Sequence, residues 1–271
     1  MVRTLLATAL VIAIARPVFA DLSIKNIQAR HGQFGPVRTS LDLYPGDEVV
    51  FTYTVEGVKT DPAGNVSCEF ELKVSDASGN VVFRDTNQPT QVLPTGVNSL
   101  PNATHFGFGL GTPPGQYKFT LVCTDKRQQL SDSFERIVNC LPVAFAIIQP
   151  RFSYDAKGET NASLIDVLGQ SLFFRLSVIG FDRAHGKIDL SMRMQLIDEK
   201  GQELLPKPVS DSIVVTDAKK IAEAPVANFW DAFSCLKIGS FRVKISVTDN
   251  ISHKTTTFES PIRIIHNDPG Q

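Results

Sequence analysis

The side chains most often used in catalysis and metal binding are scattered along this chain. Its histidines stand apart from one another and from every cysteine, at His31, His105, His185, His253 and His266. A metal site or a Cys-His nucleophile requires such residues at defined spacings or in a family pattern. No Gly-x-Ser-x-Gly elbow and no Asp-x-Asp-x-Asp-Gly calcium loop occurs either. The sequence therefore predicts no catalytic residue, no metal site and no cofactor, and it favours a protein that is not an enzyme.

An aromatic, glycine-rich segment, residues 105–111, is the next candidate for chemistry, and it contains Phe106 and Phe108. Phosphate-binding glycine loops lead a strand into a helix N-terminus, whereas this segment leads into another strand-like run. Residues 228–235 form its counterpart, with Phe229 and Trp230 but without the glycines. We interpret these four aromatics as core residues. If they were exposed instead, they would stack on sugar rings or anchor a partner protein.

An internal repeat defines the elements that position these side chains. Residues 46–57 match residues 169–180, with glycine at both ends and apolar side chains at alternate positions between. Residues 68–79 and 190–201 both end in Asp-x-x-Gly, and residues 115–125 match residues 239–249. A period of two followed by Asp-x-x-Gly predicts a strand that enters a tight hairpin turn. Three segments in the same order indicate a duplicated unit.

Each repeat holds about seven short strands with one apolar face, and such a face requires a second sheet to cover it. The fold class predicted is all-β, with two tandem Ig-like antiparallel β-sandwich domains. We place repeat 1 at residues 21–142 and repeat 2 at residues 143–266, with a short loop helix near residues 217–224. The polar tail, residues 267–271, is predicted to be disordered.

Two segments carry a resemblance to a known class of repeats. Residues 114–125 place a Pro-Gly turn before an aromatic strand start, and residues 45–47 read Pro-Gly-Asp before a strand. This arrangement resembles bacterial Ig-like and fibronectin-type extracellular repeats. The resemblance covers both halves and implies a β-sandwich outside the cytoplasm, but folds of this kind serve many functions.

The cysteines are Cys68, Cys123, Cys140 and Cys235. In an Ig-like sandwich, Cys68 and Cys123 would lie on inward positions of neighbouring antiparallel strands, at the same end. Their counterparts Leu190 and Val247 are both apolar, and joint loss is typical of a bonded pair. We predict a Cys68–Cys123 disulfide, with two buried free thiols as the alternative. Cys140 and Cys235 would meet only if the repeats folded side by side.

The amino terminus is typical of a secretory signal. Residues 1–20 contain Arg3, an apolar core over residues 5–15 and small side chains before a cleavage site at Ala20. We expect a secreted, periplasmic or cell-surface protein that starts at Asp21 and has no transmembrane segment; an uncleaved anchor is the alternative. Cleavage removes two of the 27 cations and none of the 28 acids, giving a net charge of about −3. Without a basic excess, nucleic acid is an unsuitable partner.

Three classes of function remain open at this point. The preferred one is a non-enzymatic interaction or structural module whose edge strands and loops bind another protein. The second is a carbohydrate- or small-ligand-binding module, and the third is an enzyme with a site built from distant residues. A periplasmic assembly chaperone, of the kind that has two Ig-like domains, is a variant of the first. Residues 136–140 are too short for its apolar edge strand, and Lys126 and Arg127 resemble an exposed hairpin tip rather than its basic cleft.

Overall fold

The computed structural model describes residues 21–266, and these fold almost entirely as β-strands. The strands of the first half are β1 (Ser23–Arg30), β2 (Asp42–Leu43), β3 (Glu48–Glu56), β4 (Cys68–Ser75), β5 (Val81–Asn87), β6 (Ser99–Gly107), β7 (Gly115–Asp125) and β8 (Leu130–Cys140). Those of the second half are β9 (Ala146–Ser153), β10 (Ile165–Val167), β11 (Ser171–Ile179), β12 (Ile188–Ile197), β13 (Val209–Val215), β14 (Ala227–Ser234), β15 (Gly239–Asp249) and β16 (Lys254–Ile265). The short helix α1 (Ala218–Glu223) joins β13 to β14, where the sequence predicts one. The signal and tail predictions fall outside the described residues.

The strands form two pairs of sheets with the same order in each half. A sheet β1-β3-β6 faces a sheet β2-β8-β7-β4-β5, and we call this pair the first sandwich. A sheet β9-β11-β14 faces a sheet β10-β16-β15-β12-β13, and we call this pair the second sandwich. The pairing is antiparallel except for β2 with β8 and β10 with β16, which are parallel. The predicted all-β sandwich class is confirmed, while the boundary between residues 142 and 143 stays a prediction.

Alternating side chains explain why these segments form strands. Along β4 the residues alternate between buried and half-buried positions, and β7 and β15 follow the same rule. In the first sandwich the inward side chains meet in one cluster, where the rings of Phe51 and Phe119 lie 4.5 Å apart. Phe174 and Leu190 belong to a separate cluster in the second sandwich. Each pair of sheets therefore has its own hydrophobic core.

Two buried carboxylates end the β7 and β15 strands. Asp125 is fully buried and accepts the backbone N–H groups of Lys59 and Arg127, both at 2.8 Å. Asp249 does the same for Asp182 at 2.8 Å and Ile251 at 2.9 Å. Burial acts against ionisation, but these hydrogen bonds hold the pKa of both carboxyls below the usual range. The recurring Asp thus fastens a turn to a distant loop in each sandwich.

A mixed polar and apolar joint connects the two sandwiches. Arg38 and Asp47 form an ion pair at 2.8 Å with side chains only 6% and 7% exposed. Asp47 also accepts the backbone N–H of Gln149, at 3.0 Å, at the start of the second sandwich. An apolar cluster lies beside this pair and contains Tyr44, Ala146, Ile148, Ile179 and Val226. The Asp47–Gln149 hydrogen bond and this apolar cluster therefore join the two sandwiches.

His31 lies at the same joint, and its buried ring should make the free energy of unfolding depend on pH. Its ring packs edge-on against Phe258 at 5.2 Å, and burial, with the nearby charge of Arg38, lowers the pKa of His31 to about 3. Between pH 6.5 and 3 the unfolded chain binds a proton that the folded chain does not, so stability falls as the pH is lowered through this window. At pH 4.5, two units below the unfolded value, we expect a loss of roughly 3 kcal/mol from this residue.

Urea denaturation of the wild type and of His31→Phe at neutral pH and near pH 4.5 measures the effect. The carboxylates titrate in both proteins. Only the difference between the two proteins in how much the free energy of unfolding falls from neutral pH to pH 4.5 therefore reports on His31. Equal acid sensitivity in both proteins would contradict the prediction.

Candidate functional site

The four aromatics for which ligand contact was the alternative to a core position do not share one face. Phe229 is fully buried and fills the second sandwich. Phe106 and Phe108 are 8% and 6% exposed, with their rings 5.0 Å apart. Trp230 alone is open to solvent, 62% exposed. The sheet register also corrects the predicted correspondence between residues 105–111 and residues 228–235.

Register shows which positions are equivalent in the two sandwiches. Val49 pairs with Phe106 and its counterpart Leu172 pairs with Phe233, so Phe106 corresponds to Phe233. In the same way Tyr53 pairs with Asn102, and its counterpart Leu176 pairs with Phe229. A buried phenylalanine in the second sandwich is therefore an asparagine in the first. The glycine-rich segment leads into β7, as predicted, and not into a helix.

The first sandwich is open along the seam between β5 and β6. These are the end strands of their two sheets, and each has a single strand neighbour among the described residues. A cavity of about 500 Å³ lies between them at the end nearer the joint. Its lining is mainly apolar and includes Val74, Val82, Phe83, Phe106, Phe108 and Tyr117. We call this cavity and its continuation along β5 and β6 the seam groove.

The continuation of the seam groove is more polar. A second cavity of about 270 Å³ shares Phe83 and His105 with the first. Its walls carry Asp85 and Asn87 from β5 and Asn102 and Thr104 from β6, above a floor of Tyr53, Phe70, Leu72 and Leu121. The hydroxyls of Tyr53 and Thr104 lie 3.0 Å apart, within hydrogen-bonding distance. The groove therefore has an apolar end and a stretch that offers hydrogen bonds.

The strand β5 forms an exposed wall of this groove. All seven of its residues are exposed, and Val81, Val82 and Phe83 are 55%, 55% and 47% exposed. Long exposed edge strands with apolar side chains template pairing with another chain, and natural proteins usually protect them. Neither charge nor proline interrupts residues 81–83, so this edge stays available.

The equivalent seam of the second sandwich is filled. Phe229 and Phe233 of β14 are buried beneath it. On β13 the inward position is Val209, and the equivalent position on β5 is Asp85. Leu204 and Leu205, from the longer β12–β13 connection, and Ile221 of α1 pack against the same core. The groove is thus a property of the first sandwich and not of the shared fold.

The cysteines are free thiols in the structure, and all four are buried. Cys68 lies opposite Asp125, and Cys123 lies opposite Phe70, so the two cysteines are diagonal neighbours on adjacent strands. Their mutual hydrogen bond lowers the pKa of Cys68 and raises that of Cys123. Cys140 and Cys235 belong to different hydrophobic clusters. The Cys68–Cys123 bridge stays a prediction.

Oxidation tests that bridge directly. Diagonal pairs have Cα atoms about 7 Å apart, near the limit for a disulfide, so we expect closure with a small backbone shift and a gain of about 2 kcal/mol. Intact mass and thiol alkylation after treatment with oxidised glutathione measure it, with Cys123→Ala as the control. Four alkylated thiols after oxidation would contradict the prediction.

Three general features of the described chain bear on the type of site. Within residues 21–266, no three His, Cys, Asp or Glu side chains come together as metal ligands. No helix in that range is both long and apolar enough to cross a bilayer. The hairpin cations Lys126 and Arg127 are paired with Glu69 and Asp61, at 2.8 and 3.1 Å.

Comparison with known proteins gives no family. No family model matches the sequence, and no curated protein matches it. Among solved structures, the chain is similar to the C-terminal domain of the AgI/II polypeptide BspA of Streptococcus agalactiae, at 8% identity and a TM-score of 0.30, over 88% of this chain and 99% of that one.

Two enzymes are matched over about a third or less of their length. The β-glucuronidase of Bacteroides uniformis is 14% identical, over 83% of this chain and 27% of that one, with a TM-score of 0.37. Red sea bream transglutaminase is 7% identical, over 92% and 32%, with a TM-score of 0.27. Likenesses this distant assign no function.

Proposed function

We propose that this protein is an exported, non-enzymatic interaction module whose two Ig-like domains span residues 21–142 and 143–266. It binds an extended segment of a partner protein in the seam groove of the first sandwich. The observation that carries the proposal is the open seam between β5 and β6, beside the filled seam of the second sandwich.

An extended peptide suits the shape of this groove better than a compact ligand does. The groove follows two strands of seven and nine residues, and the outer backbone edges of both strands have no strand partner among the described residues. A peptide that adds a strand gains main-chain hydrogen bonds, and pockets beneath it receive alternate side chains. An apolar side chain fits between Val82 and Phe106, while Asp85 and Asn102 offer polar contacts further along.

Site-specific photo-crosslinking tests the proposal. A photoreactive phenylalanine analogue at Phe83 is expected to capture one protein from envelope extract, and the same analogue at Val214 is not. Val214 is the matched control because it is 58% exposed on β13, the equivalent end strand. A peptide that contains the crosslinked residue should then bind the wild type and lose at least about ten-fold in affinity with Phe83→Asp. Equal capture from both positions would contradict the proposal.

A second candidate function rests on Trp230. It lies opposite Arg175 on the outer surface of the β9-β11-β14 sheet, next to the hydrogen-bonded pair Ser177 and Asn228. An exposed indole flanked by polar groups stacks on sugar rings. Saturable binding on a glycan array that is lost with Trp230→Ala and kept with Phe83→Asp would favour carbohydrate binding over the peptide proposal.

A further inference from the structure

An apolar surface lies at the end of the second sandwich that is remote from the joint. Four exposed aliphatic side chains from three neighbouring chain segments lie there, and we call them the distal tip: Leu168, Leu236, Ile238 and Ile265. Their exposed fractions are 38%, 81%, 49% and 38%. The segments are held together by backbone hydrogen bonds, from Gly169 to Cys235 at 2.9 Å and from Leu168 to Ile265 at 3.0 Å. Exposed aliphatic side chains on neighbouring, hydrogen-bonded segments indicate a contact surface.

The corresponding end of the first sandwich is covered within this chain. Gly46 donates to Phe108 at 3.0 Å as Gly169 donates to Cys235, which identifies the two ends as equivalent. A Cβ at Gly46 would lie only 3.0 Å from the Ile148 side chain of the second sandwich, whereas a Cβ at Gly169 would have nothing within 4 Å. Among the residues that the structure describes, the same end of the same fold is therefore buried in one copy and bare in the other.

The surface that covers the first end is the start of β9 and the end of β11. Ala146, Ile148 and Ile179 form it, and a residue with positive φ, Gln149, bends the strand there. The first sandwich has the same bend, at Asn26, but its three equivalent positions are polar: Ser23, Lys25 and Glu56. Lys25 and Glu56 form an ion pair at 2.7 Å. A second copy of this chain thus lacks the apolar surface that the distal tip would require.

We propose that the distal tip docks onto a β-sandwich of a separate protein, at an aliphatic first-strand surface like that of Ala146, Ile148 and Ile179. The contact would resemble the internal joint. The second sandwich takes the place of the first, and the separate protein takes the place of the second, so that the units follow one another head to tail. It is independent of the seam groove, which lies in the other sandwich.

A variant of the full chain that carries its own docking surface tests this contact. The triple variant Ser23→Ala, Lys25→Ile, Glu56→Ile gives the first sandwich the aliphatic surface of the second. We expect the wild type to be monomeric and the triple variant to associate head to tail, with its weight-average mass rising roughly two-fold or more in analytical ultracentrifugation. Adding Leu236→Lys and Ile238→Lys should restore the monomer.

A control variant distinguishes docking through the distal tip from non-specific hydrophobic association. Adding Trp230→Lys to the triple variant changes an exposed apolar residue outside the distal tip, and association should persist. The proposal is wrong if the triple variant stays monomeric, if it associates equally with charged residues at 236 and 238, or if the wild type already associates through the distal tip. Circular dichroism and denaturation of each variant confirm that it is folded.

Discussion

Replacing Asn102 with phenylalanine is expected to close the seam groove and to weaken peptide binding by about 100-fold or more. The register places Asn102 where the second sandwich has the fully buried Phe229, so the new ring would lie over Tyr53 and Phe70 on the groove floor. A bound side chain would then have to displace a packed aromatic, which costs roughly 3 kcal/mol or more. Isothermal titration with the crosslinked peptide measures the loss.

The stability of this variant separates blocking from unfolding. The ring adds apolar burial at an open site, so the free energy of unfolding should be unchanged or higher. Val214→Phe, an equal enlargement of an exposed residue on β13, should leave peptide affinity unchanged. Binding by Asn102→Phe as tight as that of the wild type would contradict the location of the site.

The second large effect concerns a buried carboxyl in the second sandwich. Asp166 is 1% exposed, and its carboxylate makes no full hydrogen bond among the described residues, only a weak contact with the backbone N–H of Val167. Its counterpart in the first sandwich is the fully buried Leu43. Burial raises the pKa of Asp166 and, with this carboxylate nearby, raises the pKa of the Cys235 thiol to about 12. Asp166→Leu should stabilise the fold by roughly 2–4 kcal/mol at neutral pH.

The pH dependence of that gain is a second signature. A carboxyl whose folded pKa is raised binds its proton more tightly when folded, so the wild type loses stability as the pH rises through that range. The advantage of Asp166→Leu should therefore be smallest near pH 3 and larger at pH 7. Denaturation at both pH values checks this, with Asp166→Asn giving a smaller gain because the amide is still a buried polar group. An Asp166→Leu variant less stable than the wild type at pH 7 would contradict this prediction.

The fold could be predicted because each strand repeats one local rule. Residues 46–57 and 169–180 alternate apolar and polar side chains, and Gly79 and Gly201 close hairpins with φ of 86° and 83°. The groove could not be predicted in this way. Similarity of composition aligned Phe106 with Phe229, whereas hydrogen-bond register aligns Phe229 with Asn102. The available signal was a polar residue at an inward position of β6, and it is visible only once the strand pairs are known.

The joint and the distal tip could not be predicted from the sequence either, for a different reason. Tyr44, Ile148 and Leu236 are ordinary strand-end and loop residues in the sequence, and their role follows from which end of each sandwich they occupy. Short-range pattern specifies the faces of a strand but not the partner of a loop.

Amide hydrogen exchange of the full chain, with and without the crosslinked peptide, shows which strands the peptide binds. The proposed peptide site implies slower exchange confined to Val81–Asn87 and Ser99–Gly107, because the peptide pairs with these strand edges and excludes water from the groove. Protection that falls instead on β13 and β14, or on no strand edge at all, would contradict it.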